Sequence, residues 1–353
     1  MSLRSLYEQR PLENSYALHA QFYRDEKWLA VEGQQVFANT WQLFGHASQL
    51  LHAGDHIVGE VAGKPVIVVR QHSGELKAFY NVCRHRAGPL ATCSGKAAKA
   101  LHCRYHGWTY TLDGQLKAAT EMQDASDFQV NDIRLTPVQV REWQRFVFVA
   151  LSENVPAFED VFSEIVERVK PNDIASMQFH SRVVYAIDCN WKVYIDNFLE
   201  GYHLPFVHPG LSKVLDYRSY DTELHPWYSL QHSPIRNNED LYADGHAYYY
   251  FVYPNIMLNI LPGRLQTNRI VPTGLNRCIV EFEHYYSTDP LMQACIDNEQ
   301  QFSHQIQQED ITICEHVQRG LASSAYEAGR LNPKREAGVW HFQNLLRRAY
   351  ASV

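Results

Sequence analysis

Four residues in the first half of the chain have the types and spacing to hold metal. Cys83 and His85 form a Cys-x-His pair, and Cys103 and His106 form a Cys-x-x-His pair further on. Each short segment offers one thiolate and one imidazole beside a turn, at Gly88-Pro89 and at Gly107. Two such loops can converge with two sulfurs and two nitrogens. Zinc accepts that donor set, but its usual spacings pair two cysteines and then two histidines. A mixed pair on each loop suits a [2Fe–2S] cluster, with both thiolates on one iron and both imidazoles on the other, an arrangement that raises the potential. On residue types alone, zinc and a chance placing of reduced cysteines and histidines near turns stay as alternatives. Cys93 lies between the loops, but nothing in its spacing makes it a ligand, and a structural role is expected for it.

A second constellation lies in the other half. Asn197, Glu200 and His203 recur every three residues, so a helix would place them on one face. Pro205 disturbs that helix, and the chain can then turn to bring His208 back toward His203. Two imidazoles at this spacing want a metal; histidines hydrogen-bonded in a polar cavity are the alternative. Further along, Phe302, Ile306, Asp310, Ile313 and Val317 form one helical stripe in which Asp310 is the exception to apolarity. A carboxylate on a buried face is costly unless it is paired or binds metal. Asp310 is therefore the expected third ligand, with a buried salt bridge or a cap as the alternative. Its neighbour Glu309 lies off the stripe and is expected in solvent. Two histidines and one carboxylate, with open positions opposite, are the donor set of non-haem Fe(II) oxygenases.

The elements that must position these residues are of two textures. Residues 1–40 read as a helical entry, with Tyr23, Trp28, Val31 and Val36 or Phe37 as a loose apolar stripe. Residues 41–152 are short β-branched or aromatic runs separated by turn residues, a small antiparallel β domain. Within it, 109–118 is a hairpin signal, with Asp113-Gly114 supplying the positive-φ turn. Residues 153–353 combine helices at 157–170 and 290–321 with long strands between them. That pattern predicts an α+β domain, a large antiparallel sheet with helices on one face.

Composition narrows the function classes. The chain has 353 residues, 45% hydrophobic and 20% charged, an ordinary globular mix with room for two domains. A net charge of −7 argues against nucleic acid or an acidic membrane as partner. The longest apolar run, 146–151, is far too short to span a bilayer, and the first thirty residues lack the apolar core of a signal peptide. A soluble, cytoplasmic protein is expected. Seven cysteines, an odd number scattered through a large chain, favour metal or buried thiols over a disulfide framework.

The segments CRHRAGPL and CRYHGWTYTLDG are similar to the two cluster-binding loops of Rieske proteins. With NWKVYIDNFLEGYHLPFVH at 190–208 and QEDITICEHVQRGL at 308–321, nearly the whole chain resembles the α subunit of the Rieske-type non-haem iron (ring-hydroxylating) oxygenases. The resemblance implies a Rieske β domain at 41–152 between an N-terminal helical segment, 1–40, and a helix-grip (START-like) catalytic domain, 153–353, with a long C-terminal helix. It implies a cluster on Cys83, His85, Cys103 and His106 and a mononuclear Fe(II) on His203, His208 and Asp310. Glu200, with Asn197 beside it, falls where the family carries an acidic bridge from the mononuclear site to a cluster histidine, here His106, of the neighbouring subunit in a head-to-tail homotrimer. Ring-hydroxylating members usually have Asp at that position. Glu200, with DNFLEGYH and EDITICEHVQRGL, looks closer to the branch acting on choline, carnitine and betaines, which hydroxylates next to nitrogen and can release a methyl group as formaldehyde. Trp227, Tyr228, Tyr248, Tyr249, Tyr250, Phe251 and Tyr253 are then candidates for a cation–π cage, or simply for sheet packing. No G-x-G-x-x-G follows a strand, so electrons are expected from a separate NAD(P)H-dependent reductase or ferredoxin. Formation of cis-diols on an arene, and a Rieske electron carrier with an empty second site, are the competing readings.

Overall fold

The computed structural model describes residues 6–235, 245–323 and 325–353. Two compact units emerge, Phe37–Phe158 and the N-terminal residues through Val36 together with Glu159–Val353. Among the described residues, no helix is long and apolar enough to cross a membrane.

The Phe37–Phe158 unit is all β. Strands β1 (Gln42–His46), β2 (His56–Val61), β3 (Lys64–Arg70), β4 (Leu76–Tyr80), β8 (Pro137–Trp143) and β9 (Phe146–Ala150) form one antiparallel sheet in the order β1-β9-β8-β4-β3-β2. Strands β5 (Leu101–His102), β6 (Thr109–Tyr110) and β7 (Leu116–Ala118) form a second, three-stranded sheet. Successive residues of a strand point to opposite faces, and β3 buries both. Val66 and Val68 pack with Val138, Val147 and Val149, while Ile67 and Val69 join Phe79, Trp108, Tyr110 and Leu116. This second core also takes in Cys83 and Cys103. The β6–β7 turn has Gly114 at φ +86°, the region glycine adopts without a Cβ penalty, and a Cβ there would run into the Phe79 ring.

The other unit is built on seven antiparallel strands. These are β10 (Gln178–Ile187), β11 (Asp221–Leu224), β12 (Tyr228–Pro234), β13 (His246–Val252), β14 (Ile256–Leu261), β15 (Arg264–Gly274) and β16 (Arg277–Tyr286), in the order β10-β16-β15-β14-β13-β12-β11. Its helices include α1 (Glu26–Val31), α2 (Phe158–Arg168), α3 (Trp191–Phe198), α4 (Leu204–Val207), α5 (Pro290–Ala322) and α6 (Ala337–Tyr350). Helix α5 starts on a clear signal: Asp289 accepts from the Leu291 N–H at 2.8 Å and Pro290 occupies the first turn.

The deeply buried face of α5 is not the stripe expected from its apolar residues. Met292, Ile296, Glu299, Gln307, Cys314, Gln318 and Leu321 are buried, whereas Phe302, Ile306, Asp310 and Ile313 are half-buried and Val317 is exposed. The polar members of the buried face each bond across the interface. Glu299 pairs with Arg264 and Tyr286, Gln307 accepts from the Tyr194 hydroxyl, and Gln318 accepts from the Asn190 N–H. The apolar stripe borders cavities instead.

The N-terminal segment is tied to the rest by a buried charge. Helix α1 runs into a π-helical turn (Glu32–Val36), and Glu32 is wholly buried. Its carboxylate takes Lys192 Nζ at 2.5 Å, Trp191 Nε1 at 2.6 Å and the Tyr350 hydroxyl at 2.6 Å, joining α1, α3 and α6. Breaking a buried pair by removing one partner leaves an uncompensated charge. Lys192→Met is expected to destabilise the protein by about 3–5 kcal/mol, measured by urea denaturation; a loss indistinguishable from zero would contradict this role.

Candidate functional site

The two cysteine–histidine loops fold alike. In the first, the Cys83 N–H donates to Gly88 O at 2.8 Å and Ala87 N–H to Cys83 O at 3.1 Å. In the second, the Cys103 N–H donates to Trp108 O at 2.9 Å and Gly107 N–H to Cys103 O at 3.0 Å. The residue four after each cysteine has positive φ, +57° at Ala87 and +78° at Gly107. Gly88 lets the loops meet, since a Cβ there would lie 2.9 Å from Cys103 Sγ. Both thiols are buried, the rings of His85 and His106 stand 4.5 Å apart, and His85 stacks on Trp108 at 4.8 Å. The Tyr110 hydroxyl sits 3.2 Å from Cys83 Sγ and accepts from the Arg84 N–H at 3.0 Å. His85 Nδ1 is buried with no hydrogen-bond partner among the described residues. An orphaned imidazole nitrogen beside two buried thiols fits a [2Fe–2S] ligand set. Burial, with the charges of His85 and Arg86, holds His106 below its usual value and so in the neutral form a metal needs.

His203, His208 and Asp310 also converge, with one ligand atom from each lying within 4.8 Å of the others. The helix expected to carry Asn197, Glu200 and His203 together ends at Phe198. Asn197 is on its last turn, whereas Glu200 and His203 lie in the turn that follows. Pro205 opens α4 rather than breaking a helix, and His208 closes it with its N–H on Leu204 O at 3.0 Å. One short helical turn thus separates the two histidines. Glu200 organises this turn by accepting from the Tyr202 and His203 N–H groups.

A carboxylate stands behind each ring. His203 Nδ1 meets Glu200 Oε1 at 2.6 Å and His208 Nδ1 meets Glu309 Oε2 at 2.7 Å. Both Nε2 atoms then face Asp310 Oδ1, at 3.9 Å from His203 and 3.0 Å from His208. Asn197 Nδ2 donates to the same oxygen at 2.6 Å. Carboxylates behind metal-binding imidazoles fix the tautomer and ring orientation. Glu309 was expected in solvent; it lies one residue from Asp310 on α5, and that rotation carries it behind His208 rather than away from the site. Burial lowers the His208 pKa, but the hydrogen bonds and charges of Asp310 and Glu309 outweigh it and leave it raised. A divalent metal relieves the same crowding of carboxylates.

The triad opens on a cavity of about 110 Å³. Its aromatic walls are Tyr194, Phe198, Tyr220, Tyr249, Phe282 and Phe302. Burial pushes Tyr249 up to about 12 and raises Tyr220, so both phenols stay neutral. Of the seven aromatics considered from sequence, Tyr249 lines this cavity. The alternation of β13 sends Tyr248 and Tyr250 to the opposite face of the sheet. Phe251 and Tyr253 pack on Phe342 of α6, and Tyr228 donates to Glu164. The polar floor of the cavity, Asn259, Gln266 and Asn268, was not among the residues expected from sequence. The alternation Arg264-x-Gln266-x-Asn268 on a strand was a usable signal for it. Asn197, Glu200 and His203 line a second depression as well, whose walls include Leu18, Tyr23, Ile313, Val317 and Leu321.

Residues 174–352 match the family model for the ring hydroxylating alpha subunit (catalytic domain), and residues 40–142 match that for the Rieske [2Fe-2S] domain. The chain is 35% identical to the chloroplastic choline monooxygenase of Arabidopsis thaliana, over 95% of this chain and 83% of that protein. It is 30% identical to the carnitine monooxygenase oxygenase subunit of Acinetobacter pittii (strain PHEA-2), over 92% of each. A solved quaternary ammonium Rieske monooxygenase, described as revealing carnitine oxidation by gut microbiota and inter-subunit electron transfer, has a TM-score of 0.86 at 28% identity, over 97% of this chain and 99% of that chain.

Loss of a carboxylate behind a ligating histidine typically costs 10- to 100-fold in metal affinity. Glu309→Ala is expected to weaken Fe(II) binding at His203, His208 and Asp310 by about that factor while sparing the visible absorption of the cysteine–histidine centre. Anaerobic Fe(II) titration checks this, and unchanged affinity would remove Glu309 from the site.

Proposed function

This chain belongs to the ring-hydroxylating oxygenase α-subunit family, with a Rieske [2Fe–2S] domain and a non-haem iron catalytic domain, and on that premise we propose that it hydroxylates a quaternary ammonium compound. The observation that carries the substrate class is the cavity: the three metal donors open on a space walled by neutral aromatic faces, which attract a cation that cannot hydrogen-bond. Relatives named for choline and carnitine oxidation support the same class.

Cys83, His85, Cys103 and His106 would hold the cluster, and His203, His208 and Asp310 the mononuclear iron. When bound, these groups supply one-electron transfer and O₂ activation, chemistry that belongs to the cofactors. The chain supplies position and protons. Glu200 and Glu309 keep the Nδ1 protons of His203 and His208, so that both Nε2 lone pairs aim inward. Asn197 holds the Asp310 carboxylate in place through Oδ1. Phe198, Phe282 and Phe302 keep water from the reacting carbon. The reaction inserts one oxygen atom into a C–H bond next to nitrogen, and two electrons and two protons convert the other atom to water. Where the hydroxylated carbon is an N-methyl, the product breaks down to formaldehyde and a demethylated amine.

Glu200 also faces the second depression, and through it we assign the link to a neighbouring copy. Its carboxylate would bridge to His106 of the next subunit in a head-to-tail homotrimer, and carry a proton along that path. The half-buried His106 ring beside exposed Tyr105, and the inter-subunit electron transfer described for the solved relative, support this. A separate reductase or ferredoxin would supply the electrons.

Asp310→Ala is expected to lose the mononuclear iron and all turnover while retaining the visible spectrum of the cluster. Glu200→Gln, loaded at saturating Fe(II), is expected to carry both metals in a trimer yet slow substrate-triggered oxidation of the reduced cluster by a hundredfold or more, roughly the scale of losing a positioned proton-transfer group. Single-turnover absorbance with choline or L-carnitine, with formaldehyde and aldehyde assays, measures both. Diol formation from arenes with no response to quaternary amines would sink the substrate reading.

A further inference from the structure

The floor of the cavity carries a pattern of matched and unmatched polar atoms. Asn259 and Gln266 face each other across β14 and β15, and Arg264 lies on the same face of β15 as Gln266. Arg264 is the cation of this lining among the described residues, and it is already matched. Its Nε lies 2.9 Å from Glu299 Oε1, both groups are buried, and the guanidinium also bonds to Gln266. Gln266 in turn donates to Asn268 Oδ1 at 2.7 Å and accepts from Ser303 Oγ at 3.0 Å. These groups satisfy one another.

Two atoms of the lining are left over. Gln307 Nε2 and Asn259 Oδ1 are buried without a hydrogen-bond partner among the described residues. Gln307 is itself 2% exposed. Its amide is oriented by Tyr194, whose hydroxyl donates to Oε1 at 2.7 Å, so the NH₂ end remains for the cavity. A buried donor and a buried acceptor without partners are costly unless a ligand completes them.

We propose that Gln307 and Asn259 select a quaternary ammonium substrate whose tail is an uncharged hydroxyl. The hydroxyl accepts from Gln307 Nε2 and donates to Asn259 Oδ1, while Tyr220 and Tyr249 take the cationic head. A carboxylate tail fits the floor poorly. It has no proton for Asn259 Oδ1, and the one guanidinium there is held by Glu299, which would repel a second carboxylate. This inference rests on the quaternary ammonium reading and divides that class by its tail.

Titration calorimetry on the iron-loaded protein tests it with three probes. Choline has the hydroxyl, ethyltrimethylammonium lacks it, and γ-butyrobetaine carries a carboxylate in its place. Choline is expected to bind about ten-fold more tightly than either, the scale of one well-made buried hydrogen bond. In Gln307→Leu the choline to ethyltrimethylammonium ratio is expected to fall to about one; Asn259→Leu gives the same comparison if the first variant does not fold. Equal binding of choline and ethyltrimethylammonium, tighter binding of γ-butyrobetaine, or an unchanged ratio in the variants overturns the tail assignment alone. Failure of all three cations to bind overturns the quaternary ammonium reading and this inference with it.

Discussion

Asp310 Oδ1 is the point on which the catalytic unit is organised. A carboxylate oxygen largely withdrawn from water must be surrounded by donors or by a cation. Asn197 supplies one donor, and the inward nitrogens of His203 and His208 face the same oxygen. Those nitrogens face inward only because Glu200 and Glu309 hold the opposite side of each ring. The cluster of like charges is tolerable with a metal at its centre and unfavourable without one, so the geometry is a statement about an ion as well as about a fold.

Keeping that arrangement in register falls to groups far from it in sequence. Asn197 belongs to α3 and Asp310 to α5, and the two helices are held by Asn190 and Gln318 at one end and by Tyr194 and Gln307 further along. Glu32, buried against Lys192, Trp191 and Tyr350, fixes α3 from the other side. The buried face of α5 carries polar groups among its apolar ones: Glu299, Gln307 and Gln318 each meet a specific partner, so sliding the helix by one turn would break every one of these bonds. A purely apolar face would specify the position less sharply.

Much of the site was legible in the sequence because its donors are local. Cys83 with His85, Cys103 with His106, and His203 with His208 each lie within one loop, where spacing constrains geometry, and Asp310 stood out as a charge in an apolar stripe. The meaning of that stripe was less accessible. Phe302, Ile306 and Asp310 border a cavity, and the face packed into the core is the one beside it, where Glu299, Gln307 and Gln318 are mixed with Met292, Ile296, Cys314 and Leu321. Periodicity shows that two faces differ but not which one meets protein and which meets empty space. The cage aromatics show the same limit: β13 alternates, so of three consecutive tyrosines one, Tyr249, reaches the cavity, and only the register with β12 and β14 tells which.

Residue chemistry and periods of 2 and 3.6 suffice for the donor types, the β texture of the cluster-binding unit and the α+β character of the other. What stands behind each ligand, and what surrounds the space in front of it, came from the packing of distant elements. Glu309 became a partner of His208 because α5 crosses α4 at that point, and Asn259, Gln266 and Gln307 became one polar surface because β14, β15 and α5 meet there. Contacts between elements a hundred residues apart depend on packing angles and strand register, and no local pattern encodes those.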